Sequence, residues 1–424
     1  MITHITDLKS FKQKALQWAS VFDAVCYLDS NNFNDPYSKF DTLIAIGAKH
    51  ELEVNSGNAF ESLTQFRTAN PGWLTGFFSY DLKNELEQLT SENPDELGFP
   101  DLYFFVPKYL IIIKGDEIKI IADDPTYILE TVEQQTLNQP KELPPIKLQS
   151  KFSRDEYLDA AEKIKGHITR GDIYVTNFCQ EFFAKNAEID PLTTFLKLNI
   201  ISPNPFAGFF KWKDNYILSA SPERFLAKRG DKLISQPIKG TAKRGKTLAE
   251  DEKIKQELRN HTKEQQENVM IVDLVRNDLT RSAKQGTVTT EELFGIYSFK
   301  QLHQMISTVV CEIQEGLSAL DAIKRSFPMG SMTGAPKISA MRLMEQYERS
   351  KRGVYSGAMG YISPDNDFDF NVIIRSLLYN SGTKYLSFQT GSAITYHANA
   401  EQEYEECLLK AKAILEVLGQ PEAY

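Results

Sequence analysis

Residues 237–245 read Pro-Ile-Lys-Gly-Thr-Ala-Lys-Arg-Gly. Proline restricts φ and glycine frees it, so the run predicts a tight turn whose backbone passes close to a ligand. Lys239 lies inside it. Lysines are seldom buried, and an isolated one reads first as a solvated loop residue. Held away from bulk water, the same side chain sheds its proton and becomes an amine nucleophile.

Two other stretches carry paired carboxylates. Glu264 and Glu267 stand three apart where the pattern is helical, so they share a face that continues through Ile271 and Leu274. A carboxylate in line with an apolar stripe points inward and needs a cation or a proton. Glu403, Glu406 and Lys410 repeat the design ahead of Ile414 and Val417. Two converging pairs suit Mg²⁺, a hard cation that takes oxygen ligands and keeps exchangeable waters. The plainer alternative is a set of surface Glu–Lys pairs.

Gly330–Lys337 is glycine-rich but lacks the Gly-Lys-Ser/Thr ending of a phosphate loop. Pro336 at a helix start, with Ser331 and Thr333 as capping candidates, would present backbone N–H groups to an anion. Arg375 interrupts an apolar run and needs a partner, either a structural acid or a ligand carboxylate gripped by two hydrogen bonds.

These residues need a scaffold. Prolines 140, 144 and 145 mark a soft boundary near Gln139–Ser153, dividing an N-terminal region (1–145) from a larger C-terminal one (150–424). Strands are expected at Phe22–Leu28, Thr42–Ile46, Gly76–Tyr80 and Tyr109–Ile113. Further strands follow at Ile173–Phe183, Phe206–Trp212, Tyr216–Ala220, Gly357–Ile362, Phe370–Leu378 and Tyr385–Thr390. Ser153 and Glu156 form a capping box for a helix that stops at Gly171. One long helix is expected over about Ala249–Arg276, with others at Ser318–Phe327, Lys337–Glu348 and Gln402–Leu418. The whole predicts an α+β fold, with large antiparallel or mixed sheets in a sandwich-like core, helices packed outside, and the N-terminal strands joining the shared core.

Composition narrows the partners. The chain has 424 residues, 42% hydrophobic, and a net charge of -9, which gives no general attraction for nucleic acid or anionic lipid. Its apolar runs are too short to span a membrane, and residues 1–10 lack the apolar core of a signal peptide. The four cysteines and six histidines are dispersed, so neither a disulfide framework nor a histidine metal site is visible. The expectation is a cytoplasmic protein whose chemistry rests on lysine and carboxylates.

Read in order, these segments resemble the chorismate-utilising enzymes: anthranilate synthase component I, aminodeoxychorismate synthase component I, and isochorismate and salicylate synthases. The matching pieces are Ser221–Phe225, Pro237–Gly245, Glu264–Asp278, Gly330–Lys337, Arg352–Gly360, Ile374–Ser376, Thr390–Ala393 and Glu403–Lys412. The resemblance implies that Glu267 and Glu406, backed by Glu264 and Glu403, hold Mg²⁺ against the ring carboxylate of chorismate. It implies that Tyr355, Arg375 and Lys410 bind the substrate carboxylates, with Ser331, Thr241 and backbone N–H groups of Gly240, Gly391 and Ala393. Glu223 would be the general acid that protonates the leaving hydroxyl.

Lys239 discriminates within the family. Anthranilate synthases are similar but usually carry alanine there, whereas lysine marks the aminodeoxychorismate synthases. The resemblance then implies amination at C4 through a covalent Lys239 intermediate, with ammonia from a separate glutamine amidotransferase subunit and a product used for folate. An anthranilate synthase component I that carries lysine is the alternative. Departures are visible: Gln304 stands where many relatives have histidine, with His303 one place earlier, Gly391-Ser-Ala393 replaces a commoner Gly-Ala-Gly, and Ser331 stands where threonine is common.

Overall fold

The computed structural model describes residues 1–139, 145–300 and 302–420. The N-terminal region contains β1 (Ile2–His4), α1 (Leu8–Ala19), β2 (Ala24–Asp29), β3 (Thr42–Val54), α2 (Ala59–Ala69) and β4 (Leu74–Phe78), followed by α3 (Lys83–Leu86), β5 (Leu102–Lys114), β6 (Glu117–Ile121) and α4 (Pro125–Glu133). Next come β7 (Gln149–Ser150), α5 (Arg154–Arg170), β8 (Val175–Ala184), α6 (Pro191–Ile201), β9 (Phe206–Trp212), β10 (Asn215–Ser221), β11 (Arg224–Arg229), β12 (Lys232–Gln236) and β13 (Ile238–Lys243). Then α7 (Leu248–Asn260), α8 (Thr262–Thr280), β14 (Thr289–Ser298), β15 (Leu302–Glu312), α9 (Ala319–Ser326), β16 (Gly334–Ala335) and α10 (Lys337–Tyr347). The chain ends with β17 (Ala358–Ile362), β18 (Phe368–Val372), β19 (Ser376–Asn380), β20 (Tyr385–Thr395) and α11 (Ala400–Val417).

The α+β expectation holds, and the pairings that build the sheet are antiparallel. One series runs β6–β5–β3–β2–β9–β10–β19–β20–β8. The other runs β5–β4–β17–β18–β11–β12–β15, with β13 and β14 also on β15. β3 and β5 are each 13 residues long; β5 belongs to both series, and its register against β3 shifts between Ala48 and His50. Strand alternation sends Cys26 and Phe210 into one core with Phe77, Phe104 and Leu226. It sends Val25 and Phe209 into another, with residues of α1, α4, α6 and α11. Strands buried on both faces explain the continuous apolar runs in the sequence.

The capping box at Ser153 and Glu156 is present, and Gly171 closes α5 at φ +85°. Several expectations are corrected. The single helix over 249–276 is two, because His261 ends α7 with ψ 107° and its ring accepts the Glu264 N–H to start α8. That restart places Glu264 in a first turn. The strand over 370–378 is also two, and Arg375 sits in the break at φ +53°. Lys239 lies on β13 rather than in a tight turn, beside an irregularity in pairing between Ile238 and Thr241. Ser331 and Thr333 do not cap a helix: Thr333 donates to Met329 and Gly330 carbonyls, and α10 begins after Pro336 with no side-chain cap. Lys337 is structural, with Nζ 2.7 Å from each Asp278 oxygen. Prolines 140 and 144 lie outside the described residues.

Candidate active site

A cleft of about 1050 Å³ opens between β13, the start of α8, the end of β20 and α11. It gathers Glu223, Lys239, Gly240 and Thr241 from the middle of the chain, with Glu264 and Glu267 from α8. Ser331, Tyr355, Arg375, Gly391, Glu406 and Lys410 complete the set from the last third. Glu403 is buried one turn behind Glu406. Ala393 is the exception: it is buried in β20 opposite Asn177 and does not line the cleft.

Local bonds aim these side chains. The Asn268 amide donates to the Lys239 carbonyl at 3.2 Å and accepts from Ser307 at 2.6 Å, tying α8 to β13 and β15. Gly240 has φ +102°, and a Cβ there would stand 3.2 Å from Glu264 Oε2 and 3.1 Å from Met305 Cβ. Any side chain would push that carboxylate aside. Glu223 follows β10, its N–H bonded to Ser221 Oγ at 3.3 Å and its carbonyl accepting from Val372 at 3.0 Å. Next to it, fully buried Arg224 is anchored on Asp35 at 2.6 Å and Asp369 at 2.9 Å.

Lys239 Nζ lies 3.7 Å from Glu267 Oε2. Lys263, which the sequence reading missed, bridges Glu267 at 3.7 Å and Glu403 at 3.6 Å. Burial pushes the Lys239 pKa down, but Glu267, Glu406, Glu403 and Glu264 outweigh it and the pKa is raised. The balance is reasonable, since one such pair at this distance is worth about 4 kcal/mol at an effective dielectric near 20. Burial and the neighbouring acids push Glu403 up to about 7 and raise Glu264. Glu406 goes the other way: Lys410 at 2.6 Å and Lys239 overcome burial and hold it at about 2. The donor chemistry, carboxylate oxygen throughout, fits a hard divalent cation. Among the described residues no three acids form a ready-made cage; Lys239 and Lys263 stand among them.

Across the cleft, burial pushes Glu223 up to about 7, against the opposing effects of the Ser331 hydroxyl and Lys239. Tyr355 is buried with its hydroxyl 3.9 Å from Cys179 Sγ. The Arg375 guanidinium has no hydrogen-bond partner among the described residues, and burial pulls its pKa down. A positive-φ arginine left unpaired in a cleft is the kind of strain found at ligand clamps. Lys410 reaches the Gly391 carbonyl at 2.7 Å. Asn177 and Cys179 turn their N–H groups toward Thr333 and Glu348, so Gly391 and Ala393 occupy non-hydrogen-bonded positions of the β8–β20 pair.

Gln304 lines the cleft, whereas His303 faces away, locked between Asp251 at 2.8 Å and Ser298 at 2.9 Å. Strand alternation along β15 is the signal that separates them. Asn177, Gln389 and Leu409 also line the cleft and carried no sequence signal.

Comparison with known proteins agrees with this architecture. The chorismate binding enzyme family matches residues 21–416, and the chain belongs to it. An anthranilate synthase component I-like protein of Synechocystis is 32% identical over 370 residues, covering 85% of this chain and 75% of its own. Aminodeoxychorismate synthase component 1 of Bacillus subtilis is also 32% identical, over 367 residues, with 82% and 77% covered. The crystal structure of anthranilate synthase component I from Streptococcus pneumoniae superposes with a TM-score of 0.78 at 24% identity, covering 90% of this chain and 93% of that one. No helix among the described residues is long and apolar enough to cross a membrane.

Proposed function

We propose that this protein is a cytoplasmic aminodeoxychorismate synthase component I, a transferase that replaces the C4 hydroxyl of chorismate with an amino group. Relatives named for this activity and for anthranilate synthesis are equally similar, so the reading rests on the site. The observation that carries it is Lys239: a lysine amine and a carboxyl group near pKa 7 line one buried cleft.

Arg375, Lys410 and Tyr355 bind and orient the two substrate carboxylates. Mg²⁺ bound by Glu267 and Glu406, with Glu264 and Glu403 behind them, would neutralise the acids and bind the ring carboxylate. Burial favours the amine form of Lys239, whose proton would leave to solvent through the open cleft before the attack. Its nitrogen bonds to C2 while the ring double bond shifts and the C4–O bond breaks. Glu223 gives its proton to the departing oxygen, which leaves as water. Ammonia then bonds to C4, the double bond shifts back, and Lys239 departs from C2. Two successive allylic displacements keep the new nitrogen on C4. The ammonia would come from a glutamine amidotransferase partner, and the product would feed folate synthesis.

Mass spectrometry with chorismate and Mg²⁺, without an ammonia source, tests the reading. It requires a covalent adduct on Lys239 that is absent in Lys239→Ala. No adduct, with anthranilate formed once ammonium is added, would place the protein with the anthranilate synthases instead.

A further inference from the structure

None of the described residues before Asn177 lines the cleft, yet the N-terminal region grips the turn that carries one residue that does. Tyr355 sits in a turn at residues 352–356, with Gly353 at φ +56° and Ser356 at φ +62°. Left-handed backbone at a residue with a side chain persists only where the surroundings fix it. Here they do so from behind. The Gly353 N–H donates to Asp81 Oδ2 at 2.9 Å, and the Gly353 carbonyl accepts from the Tyr80 N–H at 2.8 Å and from Ser79 Oγ at 2.9 Å. The Arg352 guanidinium lies over the Tyr80 ring at 4.5 Å, and past the turn β17 pairs with β4. The Tyr355 hydroxyl meets only the Cys179 thiol among the described residues, at 3.9 Å, and a thiol is a weak partner. Where this phenol points is therefore set by its backbone, and the backbone is held by residues 79–81.

We infer that Asp81 is a positioning residue for chorismate: from the N-terminal region, outside the cleft, it fixes the turn that aims the Tyr355 hydroxyl at a substrate carboxylate. The inference rests on the reading of Tyr355 as a chorismate ligand, and not on which ring carbon is aminated. The two oxygens of Asp81 have separate duties. Oδ2 holds Gly353, whereas Oδ1 accepts from Ser91 Oγ and faces the buried Lys83 ammonium at 3.6 Å. Asp81→Asn keeps an acceptor for the Gly353 N–H and loses the charge opposite Lys83. Asp81→Ala loses both. The pair of variants thus separates holding the turn from balancing a buried cation.

Steady-state consumption of chorismate with Mg²⁺ and ammonium chloride, read beside thermal unfolding, tests this. Both variants should melt below the unaltered enzyme, because each leaves Lys83 less compensated. Only Asp81→Ala should raise the chorismate KM, by about tenfold, with Asp81→Asn near the unaltered value. In a Tyr355→Phe background, where the hydroxyl is already gone, Asp81→Ala should raise the KM no further. A general loosening would raise the KM in both Asp81 variants and again on top of Tyr355→Phe, and that result overturns the inference. An unchanged KM in folded Asp81→Ala overturns it too. If Asp81→Ala does not fold, Ser79→Ala decides by the same cycle: it removes one donor to the Gly353 carbonyl, and about a threefold rise is expected. An unaltered enzyme that consumes no chorismate, or a Tyr355→Phe enzyme with an unaltered KM, would instead sink the substrate reading on which the inference rests.

Discussion

Lys239 Nζ and Glu267 Oε2 are 3.7 Å apart, so the nucleophile of the proposed reaction and a ligand of its proposed cation share one electrostatic environment. Neither group acts independently. The acids hold Lys239 as an ammonium even with Lys263 among them, and a divalent cation bound by them would weaken that hold.

Lys263 competes for the same acids, bridging Glu267 and Glu403. Its side chain is 39% exposed, so solvent screening limits each contact to less than about 1 kcal/mol. Lys263→Met is expected to tighten Mg²⁺ binding by up to about fivefold in calorimetric titration. Glu267→Gln is expected to weaken it. Weaker metal binding by Lys263→Met would show that the lysine supports the site instead.

Glu223 is raised from 4.5 to about 7 by burial. A general acid must be protonated, so kcat is expected to fall as pH rises through about 7. Glu223→Gln should lose that limb and about 10²–10⁴ in rate. Stability carries the same sign. The raised pKa contributes stability that is full below pH 4.5 and is lost as pH climbs through about 7. Glu223→Gln should therefore melt higher than the parent at pH 8, by roughly 3 kcal/mol at most, and match it at pH 4. Thermal denaturation at the two pH values checks this.

Removing Arg375 should affect binding and stability in opposite directions. Its half-buried guanidinium has no hydrogen-bond partner among the described residues, so Arg375→Met is expected to raise the melting temperature by removing an unpaired, partly desolvated cation. The same change removes a charged hydrogen bond to substrate, worth about 1.5–3 kcal/mol, and should raise the chorismate KM about 10–100-fold. Paired kinetics and calorimetry would reveal a structural role if both quantities fell together.

Arg352 supports the site from behind. It is buried on Glu348 at 2.7 Å and donates to the carbonyls of Met332 at 2.7 Å and Asn177 at 2.9 Å, both cleft residues. Arg352→Met strands Glu348 and should cost about 3–5 kcal/mol in denaturant unfolding. Adding Glu348→Leu should recover most of that stability. Activity should stay low, because the two carbonyls still lack their donor.

Much of this was legible in the sequence because the chemistry sits in contiguous runs. Pro237–Gly245 and the two carboxylate pairs announced themselves by residue type and spacing, and the Ser153–Glu156 cap by its pattern. What remained hidden depends on distant partners. Nothing local to Asn260-His261-Thr262 breaks a helix as glycine or proline would, yet the chain restarts there. The positive φ of Arg375 arises where β18 leaves for one series of strands and β19 joins the other. Lys263 looked like a surface residue until α11 brought Glu403 beside it. β3 was recognised only in its apolar half, because His50, Glu51 and Glu53 are exposed in the other; the missed half of β5, Leu102–Val106, is apolar too and is separated from Tyr109–Ile113 by Pro107 and Lys108.

The pairing of β4 with β17 also imposes an order in time. β4 is complete by residue 78, but its outer partner ends at residue 362, nearly three hundred residues later on the ribosome. The β2 edge likewise waits for β9. During synthesis the N-terminal strands must persist with exposed, unpaired edges, the condition most open to strand exchange between nascent chains. Slow translation should therefore harm the yield of this protein, and chaperones that shield β edges should restore it.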